Sequence, residues 1–179
     1  IWSFIFFFVV LGFVGRINEL RSAVFSFRGH FLIILLSSVL IAINWFFFIY
    51  AIQTNQTTEA SLGYFMMPLV TVVWGLVIFR EKLSIFQWFS VLLAAIAVCI
   101  LTFGLGVPPW IALILSFSFS IYAVLKKKLE ISPIVSVTGE VLVLVPIGLL
   151  VLLYFHMDGQ GSFGGDWVIT ILLALSGPL

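Results

Sequence analysis

Residues 59 to 88 read EASLGYFMMPLVTVVWGLVIFREKLSIFQW and contain one membrane crossing, the loop that leaves it and the start of the next crossing. The apolar run from 62 to 79 is long enough to span a hydrocarbon core as a helix. Arg80, Glu81 and Lys82 end it, and a second apolar run begins at Leu83. Along the first run Ser61, Tyr64, Pro68, Thr71 and Gly75 recur at steps of three and four, which places them on one helix face. A lipid-facing surface gains nothing from small, polar or helix-breaking residues, whereas a packed surface or a wet one uses them. Two readings follow: close helix packing, or a wall of a solute path.

Composition extends this reading to the whole chain. With 63% hydrophobic and 8% charged residues over 179 positions, the sequence is that of an integral membrane protein. The formal net charge is +1, and no basic stretch is interleaved with aromatic residues, so nucleic acid is not an expected partner. The single cysteine, Cys99, lies in an apolar run; it permits no internal disulfide and no thiolate metal cluster, and is expected to be a core filler. The first residues lack an initiating Met, a basic leader and a cleavage site, and the last stop within an apolar run, so an internal fragment is expected.

Seven apolar runs can be set out: 1 to 14, 31 to 52, 60 to 79, 84 to 103, 108 to 125, 133 to 155, and 167 onward. None shows the period-two alternation of a membrane strand, so an all-α polytopic bundle is predicted. Short connections make successive helices antiparallel. Every Lys and Arg falls in three alternate loops: Arg16, Arg21 and Arg28; Arg80 and Lys82; Lys126, Lys127 and Lys128. These loops face the cytoplasm by the positive-inside rule, and the opposite loops hold Glu59, Asp158 and Asp166. Trp88, Trp110 and Trp167 stand near run starts, where an indole lies among headgroups.

Polar groups inside the runs are few enough to weigh singly. Pro68 and Pro146 interrupt backbone hydrogen bonding within their helices, and kinks are expected there. Ser116 and Ser120 are one turn apart, and such serines commonly bond back to their own helix. Ser37 and Asn44 share a face of the second run, and an amide in the bilayer is expected to point into the bundle. Gln87, Ser90, Ala94 and Ala97 form a mostly small face suited to close packing. Glu140 is the ionisable residue well inside a run, roughly 10 Å from its cytoplasmic end when counted from Pro133. A charge at that depth costs about 2–3 kcal/mol on lenient scales, so Glu140 is expected to face the bundle interior. There it either hydrogen-bonds a neighbouring helix, or binds solute or takes up a coupling proton, with Asn44, Tyr64 and Ser116 as candidate wall residues.

These residues are similar to a known family. Asn44-Trp45, the segment from Glu59 to Phe65, Pro68-Leu69, Gly75, Glu81 and Gln87-Trp88 resemble the RarD branch of the EamA-domain drug/metabolite transporters. The likeness continues through Pro109 to Leu113, Ser116-Phe117, Tyr122, Lys126 to Lys128 and Leu175 to Leu179. The resemblance implies a transporter of about ten helices in two five-helix halves of inverted topology. Residues 1–103 then belong to the first half, as its second to fifth spans, and 104–179 to the second half, as spans six to eight. In two places the sequence departs from the family pattern: Arg80 stands where glycine often precedes the acidic residue, and Ser90 where glycine is common in the next helix.

The function implied is secondary transport or export of a small solute across a bacterial cytoplasmic membrane, with chloramphenicol-type drugs or metabolites as the substrate class. A proton is a candidate coupling ion. No cofactor is expected, and no Walker-type loop for ATP is present. The substrate-path candidates are Asn44, Tyr64, Pro68, Ser116 and Glu140. Two other classes compete: a membrane-embedded enzyme acting on lipid carriers, and a structural membrane subunit. The enzyme needs convergent acids, bases or metal ligands, and His30 and His156 fall on opposite sides of the bilayer, roughly 30 Å apart.

Overall fold

The computed structural model describes residues 2–25, 30–106, 108–129, 131–158, 167, 168, 170 and 171. Seven helices are present in it: α1 (Trp2–Phe13), α2 (Ile17–Phe25), α3 (His30–Gln53), α4 (Thr57–Ile78), α5 (Ile85–Leu105), α6 (Trp110–Lys128) and α7 (Pro133–Met157). No strand occurs among the described residues. Helices α3 to α7 are each long and apolar enough to cross a membrane, and α1 is a shorter apolar helix. Of the seventh run, Trp167, Val168, Thr170 and Ile171 are helical. The rest of that run, including Leu175 to Leu179, lies outside the described residues, as does the loop from 159 to 166.

Local chemistry sets the helix ends. Ser84 caps α5 in a reciprocal box: its backbone N–H donates to Gln87 Oε1 at 2.8 Å, and the Gln87 N–H donates to Ser84 Oγ at 3.4 Å. Gly106 closes the same helix with φ of +68°, a conformation that costs glycine no Cβ clash. Pro133 occupies the first position of α7, where its missing N–H is no loss. Helices α4 and α7 continue through Pro68 and Pro146.

Helix α2 was not among the expected elements, because its nine residues are too short and too polar to read as a span. It is amphipathic: Leu20 and Ala23 are buried, while Glu19, Arg21 and Ser22 are exposed.

The described chain divides into two compact units, one made of 1–38 with 129 onward and the other of 39–128. In the first, α7 packs against α1 and α2 around Leu11, Leu20, Ala23, Ile34, Leu129 and Val135. In the second, α4 packs most extensively against α6, with Ala51, Ala60, Ile111 and Leu115 at the core. Two packing expectations do not hold within this chain. Gln87, Ser90, Ala94 and Ala97 of α5 are all exposed, and so is Cys99, which is therefore no core filler. Small size permits close approach but does not create a partner.

Candidate functional site

Helices α4 and α6 approach closely at Gly63. A Cβ built there would lie 3.0 Å from Leu115 Cβ, 3.1 Å from the Ala112 carbonyl oxygen and 3.2 Å from Ala112 Cα. With no Cβ, glycine lets the two backbones approach this far without displacing a neighbour. One turn earlier, Glu59 Oε2 accepts the backbone N–H of Ile111 at 3.3 Å, so a carboxylate on α4 caps the first turn of α6. One turn later, Thr71 Oγ1, Ser120 Oγ and the Met67 carbonyl form a hydrogen-bonded group with separations of 2.8, 3.0 and 3.1 Å. The packed face of α4 is therefore Ala60, Gly63, Met67 and Thr71; of the expected stripe, Thr71 lies on this face and Gly75 meets Glu81 further along, whereas Ser61, Tyr64 and Pro68 are exposed.

Asn44 of α3 joins the same assembly. It is only 4% exposed, and its amide donates to the Leu115 carbonyl at 2.9 Å and to Ser118 Oγ at 3.1 Å. Ser116 is fully buried and bonds back to the Leu113 carbonyl at 3.0 Å, as expected for a serine in a membrane helix. Ser120 departs from that expectation by reaching across to α4. Asn44 thus spends its amide donors on contacts between helices, and Ser116 its hydroxyl on its own helix. Tyr64 and Pro68 are both exposed, and the Tyr64 ring meets Phe48 edge-on at 5.8 Å.

Glu140 belongs to the other unit. It is 3% exposed, Ser136 Oγ donates to its Oε1 at 3.2 Å, and Ser38 Oγ lies 3.3 Å from its backbone oxygen. Ser37 and Thr138 are fully buried in the same unit, and Ser37 Oγ has no hydrogen-bond partner among the described residues.

At the far end of α4 the chain reverses through Arg80, whose φ is +51°. A side chain in this left-handed region costs about 1–2 kcal/mol, a cost that glycine would avoid. Glu81 then folds back over Gly75, where a Cβ would stand 3.0 Å from Glu81 Oε2, and it pairs with Lys127 at the end of α6. Lys127 also sits 4.3 Å above the Phe79 ring. Among the described residues no group of three His, Cys, Asp or Glu side chains is placed to hold a metal ion.

Five membrane-length helices, with Asn44, Thr71 and Ser120 hydrogen-bonded between helices, define a polytopic helical membrane protein. The chain belongs to the EamA-like transporter family, whose model matches residues 1–103, and within it to the RarD branch. It is 39% identical to the uncharacterized transporter YojE of Bacillus subtilis over 178 residues, covering 96% of this chain and 59% of that protein. It is 38% identical to RarD of Streptomyces exfoliatus over 143 residues, covering 79% of this chain and 45% of the relative. With RarD of Escherichia coli it shares 34% identity over 175 residues, 98% of this chain and 58% of the relative. The chain thus spans less than two thirds of these relatives. No solved structure matches it. Spans and relatives together make it a multi-pass protein of the bacterial cytoplasmic membrane.

Proposed function

We propose that the chain is part of a secondary transporter that moves a small solute, drug or metabolite across the cytoplasmic membrane. The observation that carries this reading is the RarD likeness over 98% of the chain. Relatives named as transporters also weigh against a membrane-embedded enzyme on lipid carriers. We place 1–103 in the first half of an inverted repeat and 104–179 in the second, a division supported by the family match to 1–103.

Glu140 is proposed as the group that takes up a coupling proton or binds solute. A carboxyl 3% exposed inside a span, with a hydroxyl on its Oε1, supports that role. Tyr64 and Pro68 are proposed as wall residues of the path, because the packing of α4 leaves them exposed. Asn44 and Ser116 serve as scaffold, since their donors are already engaged. The test is flux through the whole protein in proteoliposomes across a panel of drugs and metabolites, with and without a pH gradient. Glu140→Gln keeps size and hydrogen bonding but cannot titrate, so it should abolish the response to the gradient. Transport by this variant at an unchanged rate and with an unchanged pH dependence would remove Glu140 from the mechanism.

A further inference from the structure

Outside the helices discussed above, the first unit contains a cavity of about 560 Å³ lined by Arg16, Glu19, Ser22, Ala23, His30, Ile131 and Ser132. That volume lies within the range of small-ligand sites. Its walls come from three places distant in sequence: the start and outer edge of α2, the first residue of α3, and the residue preceding α7. Helix α2 is held there by its apolar edge, where Leu20 lies beside Gly139 and shares a cluster with Ala23, Ile34 and Val135. Arg16, Glu19 and Ser22 recur at three-residue steps along the edge that faces the cavity.

The chemistry of the wall is bipolar. Arg16 Nε pairs with Glu19 Oε1 at 3.1 Å, an arrangement that uses one of the five guanidinium N–H donors and one carboxylate oxygen. The Arg16 and Glu19 side chains are 43% and 49% exposed, so their remaining atoms are reachable. The Ser132 hydroxyl makes no capping bond to α7, and its O–H can donate to a ligand. Arg16, His30 and Ser132 can therefore meet a phosphate, while the second oxygen of Glu19 can accept from an ammonium. A purely anionic ligand would meet Glu19 as a like charge. A zwitterion carrying both groups matches the wall.

The position selects among zwitterions. Arg16 lies in the loop with Arg21 and Arg28, which the positive-inside rule assigns to the cytoplasm, and α3 and α7 enter the membrane there. Ends of spanning helices lie at headgroup depth. We propose that this cavity binds a phosphoethanolamine group, a phosphate joined to a primary ammonium, carried by an aminophospholipid of the cytoplasmic leaflet or by the free headgroup. The proposal does not rest on the solute reading.

The purified chain in detergent can be titrated with short-chain phosphatidylethanolamine, phosphatidylcholine or phosphatidylglycerol, and with soluble phosphoethanolamine, with binding read by native mass spectrometry. Phosphatidylethanolamine should bind about tenfold more tightly than the other two lipids, because only it offers both a phosphate and an N–H donor to Glu19. Glu19→Gln should remove that preference and Arg16→Gln should weaken binding of all three lipids, whereas Arg21→Gln, on the same helix as Glu19 but outside the cavity wall, should leave both unchanged. Ser132→Ala, a milder change, should weaken binding several-fold and serves if the charge variants fail to fold. Binding of soluble phosphoethanolamine at a comparable affinity would assign the site to the free headgroup, and its failure beside a positive lipid result assigns it to the lipid. Equal binding of all three lipids, or a preference that survives both Glu19→Gln and Ser132→Ala, overturns the proposal.

Discussion

Replacing Gly63 by alanine tests the α4–α6 contact directly. The added methyl would sit 3.0 Å from Leu115 Cβ and 3.1 to 3.2 Å from the Ala112 backbone, where carbon atoms normally rest about 3.5–4.0 Å apart. Two of the three obstructing atoms are backbone, so relief requires the helices to separate rather than a side chain to rotate. Overpacking of this kind costs about 1–3 kcal/mol, while alanine gains up to about 1 kcal/mol over glycine in a helix interior. Gly148, within α7, supplies the control, because a Cβ there meets nothing within 4 Å. Gly148→Ala reports the propensity gain alone, so Gly63→Ala should be less stable than Gly148→Ala by about 1–3 kcal/mol. Reversible unfolding in mixed detergent micelles, followed by tryptophan fluorescence, measures the difference. Equal stability of the two variants would show that Gly63 does not mark a close approach of α4 and α6.

Three other outcomes are expected. Asn44→Leu should cost about 0.6–1.7 kcal/mol in the same unfolding assay, the range for hydrogen bonds between membrane helices, and should leave solute affinity of the whole protein unchanged; a large affinity loss without a stability loss would return Asn44 to the solute path. Arg80→Gly should be more stable than Arg80→Ala by about 1 kcal/mol, because only glycine relieves the left-handed φ of +51°; the reverse order would contradict that backbone geometry. A cysteine placed at Gln56 should react with an impermeant thiol reagent from outside the cell and one at Lys127 from inside, in a background without Cys99, and the opposite pattern would invert the topology.

The membrane helices were legible because a hydrocarbon core imposes one requirement on every crossing, about twenty apolar residues with all backbone groups bonded internally. Hence 133 to 155 was expected and Pro133–Met157 is found, and 31 to 52 became His30–Gln53. Helix α2 escaped notice because it crosses nothing, although Leu20, Ala23 and Val24 already carried a helical spacing in the sequence. The stripe on α4 was misplaced at Ser61, Tyr64 and Pro68, though not at Thr71, for a different reason. Ala60-Gly63 and Ser61-Tyr64 are adjacent small or polar series on the same helix, and only the partner decides which one packs. Glu59 illustrates the same point: its sequence position marked a loop, while its carboxylate caps a helix that begins about fifty residues later.

The least apolar span of this chain is also the most buried, and lipid explains why. Among the five spans, α6 is the least apolar and the most buried, with 39% of its central stretch enclosed, whereas none of the corresponding stretch of α5 is enclosed. In water the opposite sorting would hold, since burying apolar area is the main driving force. In a bilayer, leucine gains little by leaving lipid for protein, so contacts must come from close packing and from hydrogen bonds that lipid cannot offer. Ser116, Ser118 and Ser120 are buried on α6 for that reason, and two of the three bond to groups on α3 or α4. Raising the hydrophobicity of α6 at these positions should therefore weaken the unit of 39–128, even though each change would improve its apparent fitness as a membrane span.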